Sequence, residues 1–181
     1  YGEEIAMLGK KPDEDIRRPM QWSDATYAGF SNSTPWRNIN NNYSDFNVKK
    51  MKDDKNSLWS HYSKLIKLRT ANKAISKGKL KILNSNSSNV FAYLKSDNNI
   101  NMLIIHNFSS LNIKSFNINL SSADLSAGNY SFNEIFSNLK IENVEISSNT
   151  QLNYSEEDIV LTGHKTLIFD VIKNYSDKLK I

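Results

Sequence analysis

The chain has 181 residues, of which 39% are hydrophobic and 23% charged, and its formal net charge is +4; that length makes one domain, or one domain and part of another, and buries roughly 70% of the unfolded surface. Cysteine is absent, which excludes disulfides and cysteine-ligated zinc. The lysines stand singly or in pairs, a solvated surface and not a nucleic-acid groove, and no apolar run approaches the ~20 residues of a membrane helix.

The chain opens on Tyr1-Gly2-Glu3-Glu4-Ile5 with no initiator Met and no signal-like segment. It is expected to continue from a segment upstream, where any targeting signal would lie, so localisation stays open. From Gly2 to Asn56 no helical or strand period is sustained, and Gly9, Pro12, Pro19, Gly29 and Pro35 punctuate the stretch. A structureless loop of that length is functional or disordered. Trp22, Tyr27, Phe30, Trp36, Tyr43 and Phe46 argue against disorder, which is poor in aromatics. Trp22 and Trp36 either form a platform for the flat faces of sugars or pin the loop to its scaffold. Arg17 and Arg18, beside Asp13, Glu14 and Asp15, are either a ligand-facing cluster or internal ion pairs. Asp13 and Asp15 lack the Gly and the distal Glu of an EF-hand loop, so calcium is not assigned to them. Adjacent Glu3 and Glu4 would point to opposite sides of extended chain and make a poor catalytic pair.

Leu58, Tyr62, Leu65, Ile66 and Arg69 recur at helical spacing, predicting an amphipathic helix over 57–75 with Asn56 or Ser57 as its cap and Gly78 at its exit. His61 on it reads as a surface or packing residue. After Gly78 the period becomes two. Strands are predicted at 79–83, 90–94, 100–108, 113–120, 130–136, 139–146, weakly at 159–161, and at 166–172, followed by a charged tail over 173–181. About eight short strands at this spacing predict an antiparallel β-sandwich, so the fold class is mainly β. The sandwich shows no catalytic constellation: His106 and His164 are isolated, no Ser sits in a Gly-x-Ser-x-Gly elbow, and no phosphate loop appears. Triplets such as Asn107-Phe108-Ser109 follow from an Asn- and Ser-rich composition.

The ordered motifs resemble the alpha-amylase superfamily, glycoside hydrolase family 13. Tyr1-Gly2-Glu3-Glu4-Ile5 is similar to the end of the segment that closes the family's eighth barrel strand. The likeness continues through Lys11-Pro12-Asp13-Glu14, Ile16-Arg17-x-Pro19-Met20-Gln21-Trp22, Gly29-Phe30-Ser31 and Pro35-Trp36. It then runs into Ser57-Leu58 and the Leu65-Ile66-x-Leu68-Arg69 helix. The resemblance implies that 1–77 is the C-terminal end of a (β/α)₈ barrel, with the loop at 1–56 and the last barrel helix at 57–75. It implies that 78–172 is the β-sandwich called domain C. Ala6 stands where Gly is usual, and Arg18 where Glu or Thr is common.

The family's three catalytic acids come from strands upstream of residue 1, so no catalytic residue and no metal ligand is assigned here, and the chain alone is expected to be inactive. The resemblance implies no cofactor in this chain and leaves any calcium to the missing part. The implied partners are that missing barrel and an α-glucan or maltooligosaccharide. Arg17, Gln21, Trp22 and Trp36 are the candidate substrate-binding residues. Two other readings stand beside this one: a free-standing carbohydrate-binding module, and a purely structural sandwich.

Overall fold

The computed structural model describes residues 1–121, 123–154 and 160–175. The chain divides into two compact units, Tyr1–Ala71 and Asn72–Ile181.

The second unit is built by strand alternation. β1 (Lys79–Leu83), β2 (Val90–Asp97), β3 (Ile100–Asn107), β4 (Phe116–Asn119), β5 (Gly128–Glu134), β6 (Lys140–Ile146), β7 (Gln151–Tyr154) and β8 (Thr166–Asn174) follow in order. Six of them form one antiparallel sheet in the order β1-β2-β3-β8-β5-β6, and β4 pairs with β7 in a second. In β2 the side chains of Val90, Ala92 and Leu94 are buried while Phe91, Tyr93 and Lys95 face the other way. The buried faces of the two sheets make a single apolar cluster that includes Leu103, Ile105, Phe132 and Phe169 from the large sheet and Phe116, Ile118 and Leu152 from the small one. Asn98 sits at the tight β2–β3 turn and Asn143 at the irregularity between β5 and β6, both with positive φ, which Asn tolerates better than most residues.

On the opposite face of the large sheet Phe91 and His106 lie 5.8 and 5.5 Å from Phe108, ring to ring. The His106 Nδ1 meets the Thr166 hydroxyl at 2.8 Å, and burial lowers its pKa below the ordinary 6.5. A short helix, α4 in chain order (Lys73–Lys77), packs near this face: Lys95 Nζ donates to the Ile75 carbonyl at 2.8 Å.

Several strand boundaries differ from the sequence expectation, each for a local reason. Ile113 makes only an isolated bridge to Leu161, and the regular strand begins at Phe116. β7 escapes the periodicity because Leu152, which is buried, stands between the polar Gln151 and Asn153. β8 runs on through Lys173 and Asn174, which pair with Tyr130 and Asn129, so the expected tail starts later than 173. Of the weak strand expected at 159–161, Ile159 lies outside the described residues, as do residues 176–181. Asn107 is buried: its amide donates to the carbonyls of Leu111 (2.7 Å) and Leu161 (3.0 Å) and accepts from the Ser109 N–H (2.9 Å). That engagement removes the Asn107-Phe108-Ser109 triplet as an accessible glycan acceptor.

The first unit has more helix than its sequence suggests. Besides short 3₁₀ turns at Glu3–Ile5 and Thr26–Gly29 it contains α1 (Asp13–Ile16), α2 (Val48–Asp53) and α3 (Leu58–Ala71). α2 is one and a half turns long with one buried residue, Met51, too short for a period to show. Its first donors are nonetheless all met: Val48 N–H donates to the Gln21 carbonyl (2.9 Å), Lys49 N–H to the Trp22 carbonyl (3.0 Å), and Lys50 N–H to the Asn47 side chain (3.0 Å). Ser57 caps α3, its hydroxyl accepting from Ser60 N–H at 3.1 Å. The predicted helix ends early because Asn72 is extended and its side chain caps α4, accepting from Ile75 N–H at 3.1 Å. α3 contains no buried residue at all: Leu58, Tyr62, Leu65 and Ile66, the apolar stripe that predicted it, are exposed.

Candidate functional site

The turns of the first unit are held by main-chain hydrogen bonds. Gly2 has a φ of 77°, and its carbonyl accepts from Met7 N–H at 2.9 Å; a Cβ there would run into the Met7 side chain. This turn seats Ile5, which is fully buried. Ala6 follows with a φ of 55°, the left-handed region in which glycine is at ease. The Asn42 amide holds the Ala6 carbonyl at 3.1 Å.

A second left-handed turn runs through Tyr27, Ala28 and Gly29, with φ of 52°, 56° and 66°. The carbonyl of Ala28 accepts from both Trp22 N–H (2.9 Å) and Ser23 N–H (3.0 Å). Trp22 is therefore held on both sides of its peptide, by Ala28 through its N–H and by Lys49 at its carbonyl. Its indole remains 51% exposed.

The four residues singled out in sequence occupy different environments. Trp22 and Trp36 both leave their rings in solvent. Arg17 is exposed, with the Asp13 carboxylate at 4.0 Å as its nearest ion-pair partner. Gln21 is fully buried: its Nε2 donates to the Phe46 carbonyl, and its Oε1 accepts from Asn40 Nδ2 at 3.1 Å. The Gln21 amide thus has both ends engaged inside the protein, next to Trp22 in the chain.

Sequence reasoning missed Arg37 as a partner of Asp15. Asp15 accepts two hydrogen bonds from Arg37, Nε to Oδ1 at 2.8 Å and Nη2 to Oδ2 at 2.9 Å. It also accepts two from Arg18, Nε at 3.2 Å and Nη2 at 3.0 Å, both to Oδ1. These hydrogen bonds, Arg37's first, hold the Asp15 carboxyl at about 2 against an ordinary 3.8, and the same contact raises the Arg37 pKa. Of the two meanings open for the acid–arginine stretch, Asp15 and Arg18 form an internal ion pair, and Arg37 closes the segment around Trp36 onto it. The only local signal for Arg37 was its place beside Trp36. A cavity of about 260 Å³ lies here, lined by Leu8, Gly9, Lys10, Asp15, Arg18 and Asn40. A larger apolar groove of about 450 Å³ runs along α3, lined by Glu4, Trp59, Tyr62, Ser63, Ile66 and Lys67. Among the described residues no three His, Asp or Glu side chains stand together in a way that would hold a metal ion.

Comparison with known proteins places these features in a family context. Residues 2–78 match the family model described as alpha amylase, catalytic domain. The chain is 35% identical over 104 residues to an oligo-1,6-glucosidase of Halalkalibacterium halodurans, an alignment that covers 58% of this chain and 18% of that protein. It is 35% identical over 103 residues to the trehalose-6-phosphate hydrolase of Bacillus subtilis, covering 57% of this chain and 18% of the relative. Among solved structures, the trehalose-6-phosphate hydrolase of Bacillus licheniformis aligns with a TM-score of 0.63 at 22% identity, over 88% of this chain and 26% of that one. The trehalulose synthase MutB aligns at 0.59 and 23% identity, over 87% and 26%. At these identities the structural likeness is one of fold. The alignments to the two curated relatives span about a fifth of their length, 18% in each case.

Proposed function

We propose, from the match of residues 2–78 to the alpha-amylase catalytic domain, that the chain is a member of that family and the C-terminal part of a glycoside hydrolase acting on α-glucans or maltooligosaccharides. In this reading the first unit is the end of a (β/α)₈ barrel: a long loop at the active-site face, then the last barrel helix. The second unit is the domain C sandwich. Relatives of this chain are oligo-1,6-glucosidases and trehalose-6-phosphate hydrolases, which supports a glucoside substrate with an α linkage. The parent works by retention through two carboxyl groups about 5 Å apart, supplied by barrel strands outside these residues. Arg17, Trp22 and Trp36 form part of the substrate cleft wall, and Gln21 holds Trp22 in place.

The observation that carries the reading is α3. A 14-residue helix with an apolar stripe and no buried side chain leaves a face open for packing, and the family match supports reading its partner as the rest of a barrel. The test is to purify the chain and assay it with maltooligosaccharides and nitrophenyl α-glucoside. No turnover is expected; measurable hydrolysis by the clean chain would overturn the assignment of catalysis to the missing part.

A second reading, a free-standing carbohydrate-binding module, draws on the exposed indoles of Trp22 and Trp36. Calorimetric titration of glucans into the isolated chain separates the two. Micromolar binding favours the module, and absence of heat favours the truncated hydrolase.

A further inference from the structure

Asp15 offers one negative charge to two guanidinium groups. Arg37 takes both of its oxygens in a fork, and Arg18 reaches only Oδ1, through Nε and Nη2. A guanidinium carries five N–H donors, so Arg18 keeps its Nη1 donors for something other than Asp15. Arg18 lines the small cavity of the first unit, and so does Lys10, which has no ion-pair partner among the described residues. The neighbouring charges do not cancel this surplus. Lys11 and Arg17 both face Asp13, and Glu14 acts on Arg37. Asp15, held ionised far below neutral pH, serves as the fixed counter-charge that orients Arg18.

We propose that Arg18 and Lys10, with Arg37 behind Asp15, form a recognition site for the phosphate group of a phosphorylated α-glucoside. The inference rests on the reading of the first unit as a substrate-facing wall, and it narrows the substrate class. The chemistry fits in three respects. A phosphomonoester carries nearly two negative charges at neutral pH, which matches the local excess of positive charge. A guanidinium held on one edge by a carboxylate keeps its Nη1 donors oriented for phosphate oxygen, and a lysine ammonium adds a point charge. The cavity of about 260 Å³ has Lys10, Asp15, Arg18 and Asn40 in its lining together with Leu8 and Gly9. Arg37 is the next residue after Trp36, whose exposed indole is the nearest surface in sequence for the sugar ring.

The test uses the chain as it stands, followed by chemical-shift titration at low ionic strength with inorganic phosphate, glucose 6-phosphate and glucose. Glucose 6-phosphate is expected to bind more tightly than inorganic phosphate, and glucose alone to bind far more weakly. Lys10→Gln is expected to weaken glucose 6-phosphate at least tenfold, the loss of one charge-assisted hydrogen bond. Its unfolding midpoint should stay that of the wild type, since Lys10 holds nothing else. Arg18→Gln should weaken binding further, but it also loosens Asp15, so Lys10→Gln is the deciding variant. Absence of phosphate binding, equal affinity for inorganic phosphate and glucose 6-phosphate, or a Lys10→Gln chain that binds unchanged would each overturn the proposal. A parent-length protein that hydrolyses maltooligosaccharides while this chain ignores phosphate would sink the phosphate site alone and leave the glycosidase reading standing.

Discussion

Replacing Gln21 decides whether its amide is part of the wall's skeleton or a hand held out to substrate. In Gln21→Ala the Asn40 amide loses its acceptor and the Phe46 carbonyl loses its donor, at a site where Gln21 is fully buried and Asn40 is 5% exposed. Each orphaned buried group costs about 1–3 kcal/mol, and the lost methylene adds about 0.8 kcal/mol. Allowing for a water that enters the space, the variant should lose about 3 kcal/mol. All three tryptophans, Trp22, Trp36 and Trp59, belong to the first unit, so indole fluorescence during urea unfolding reports that unit selectively. With a slope of about 1 kcal/mol/M the midpoint should fall by about 3 M, or the unit should be unfolded from the start.

Gln21→Glu keeps the shape and tests the same contacts by charge. Its carboxylate would set an oxygen against the Phe46 carbonyl inside the protein, so the folded state would hold its proton to higher pH than the unfolded state does. More protons bound in the folded state means that stability falls as pH rises. The variant should therefore be nearest to wild type at pH about 4, near the unfolded value for Glu, and weaken progressively above it. A Gln21→Ala chain within 0.5 kcal/mol of wild type, a margin ordinary for a surface substitution, or a Gln21→Glu chain whose stability is flat with pH, would refute the structural role.

Ala6→Gly should raise stability by about 0.5–1 kcal/mol, because relief of a left-handed alanine (about 1–2 kcal/mol) exceeds the entropy cost of glycine; the urea midpoint reads it, and a loss would show that the φ of 55° carries no penalty. Asp15→Asn removes an ion pair whose carboxyl titrates at about 2 in the folded chain and 3.8 ordinarily. The folded pKa is depressed, so the wild type's advantage should be complete above pH 3.8 and should fade as pH falls through about 2; an advantage independent of pH across that window would contradict the pairing. Ile66, 57% exposed in the α3 groove, should make the isolated chain self-associate, and Ile66→Glu should return it to a monomer in sedimentation experiments without loss of helix signal; a wild-type chain that stays monomeric would show that the groove is not sticky.

Much of the second unit was legible because a half-buried strand writes its burial into every other residue. The alternation in β2 and the Phe116, Ile118, Leu120 series are read directly as a face, and all of the core positions among them are buried. β7 was not legible, since one leucine sets no period. α3 marks a different limit. Its spacing announces an apolar face correctly, and its Ser57 cap is real, yet periodicity says nothing of what covers the face, and among the described residues none of the helix is buried. The site was less legible still. Asp15 and Arg37 meet across 22 positions of irregular chain, where no repeat links them. Gln21 looks polar and available in sequence; only the fold buries it. Ala6 was noted only as standing where glycine is usual, and the left-handed backbone found there gives that departure its physical meaning.

The placement of left-handed residues separates the two units in a way that bears on function. Among the described non-glycine residues, those with positive φ in the second unit are Asn98, Asp124, Asn143 and His164. Residues of these types are several-fold enriched in that conformation, so hairpins and bulges there cost little. In the first unit they are Ala6, Tyr27 and Ala28, which have no such tolerance and bear about 1–2 kcal/mol each. Each has its carbonyl engaged: Asn42 on that of Ala6, Phe30 N–H on that of Tyr27, and two N–H groups on that of Ala28. One of those two N–H groups belongs to Trp22. A backbone that accepts strain and then fixes it with paired donors is held for a shape, not for its own stability. The shape it fixes includes the backbone of Trp22, whose side chain stays exposed next to the buried Gln21, and in the proposed reading that is where a cleft wall needs rigidity; the second unit shows none of the same expense.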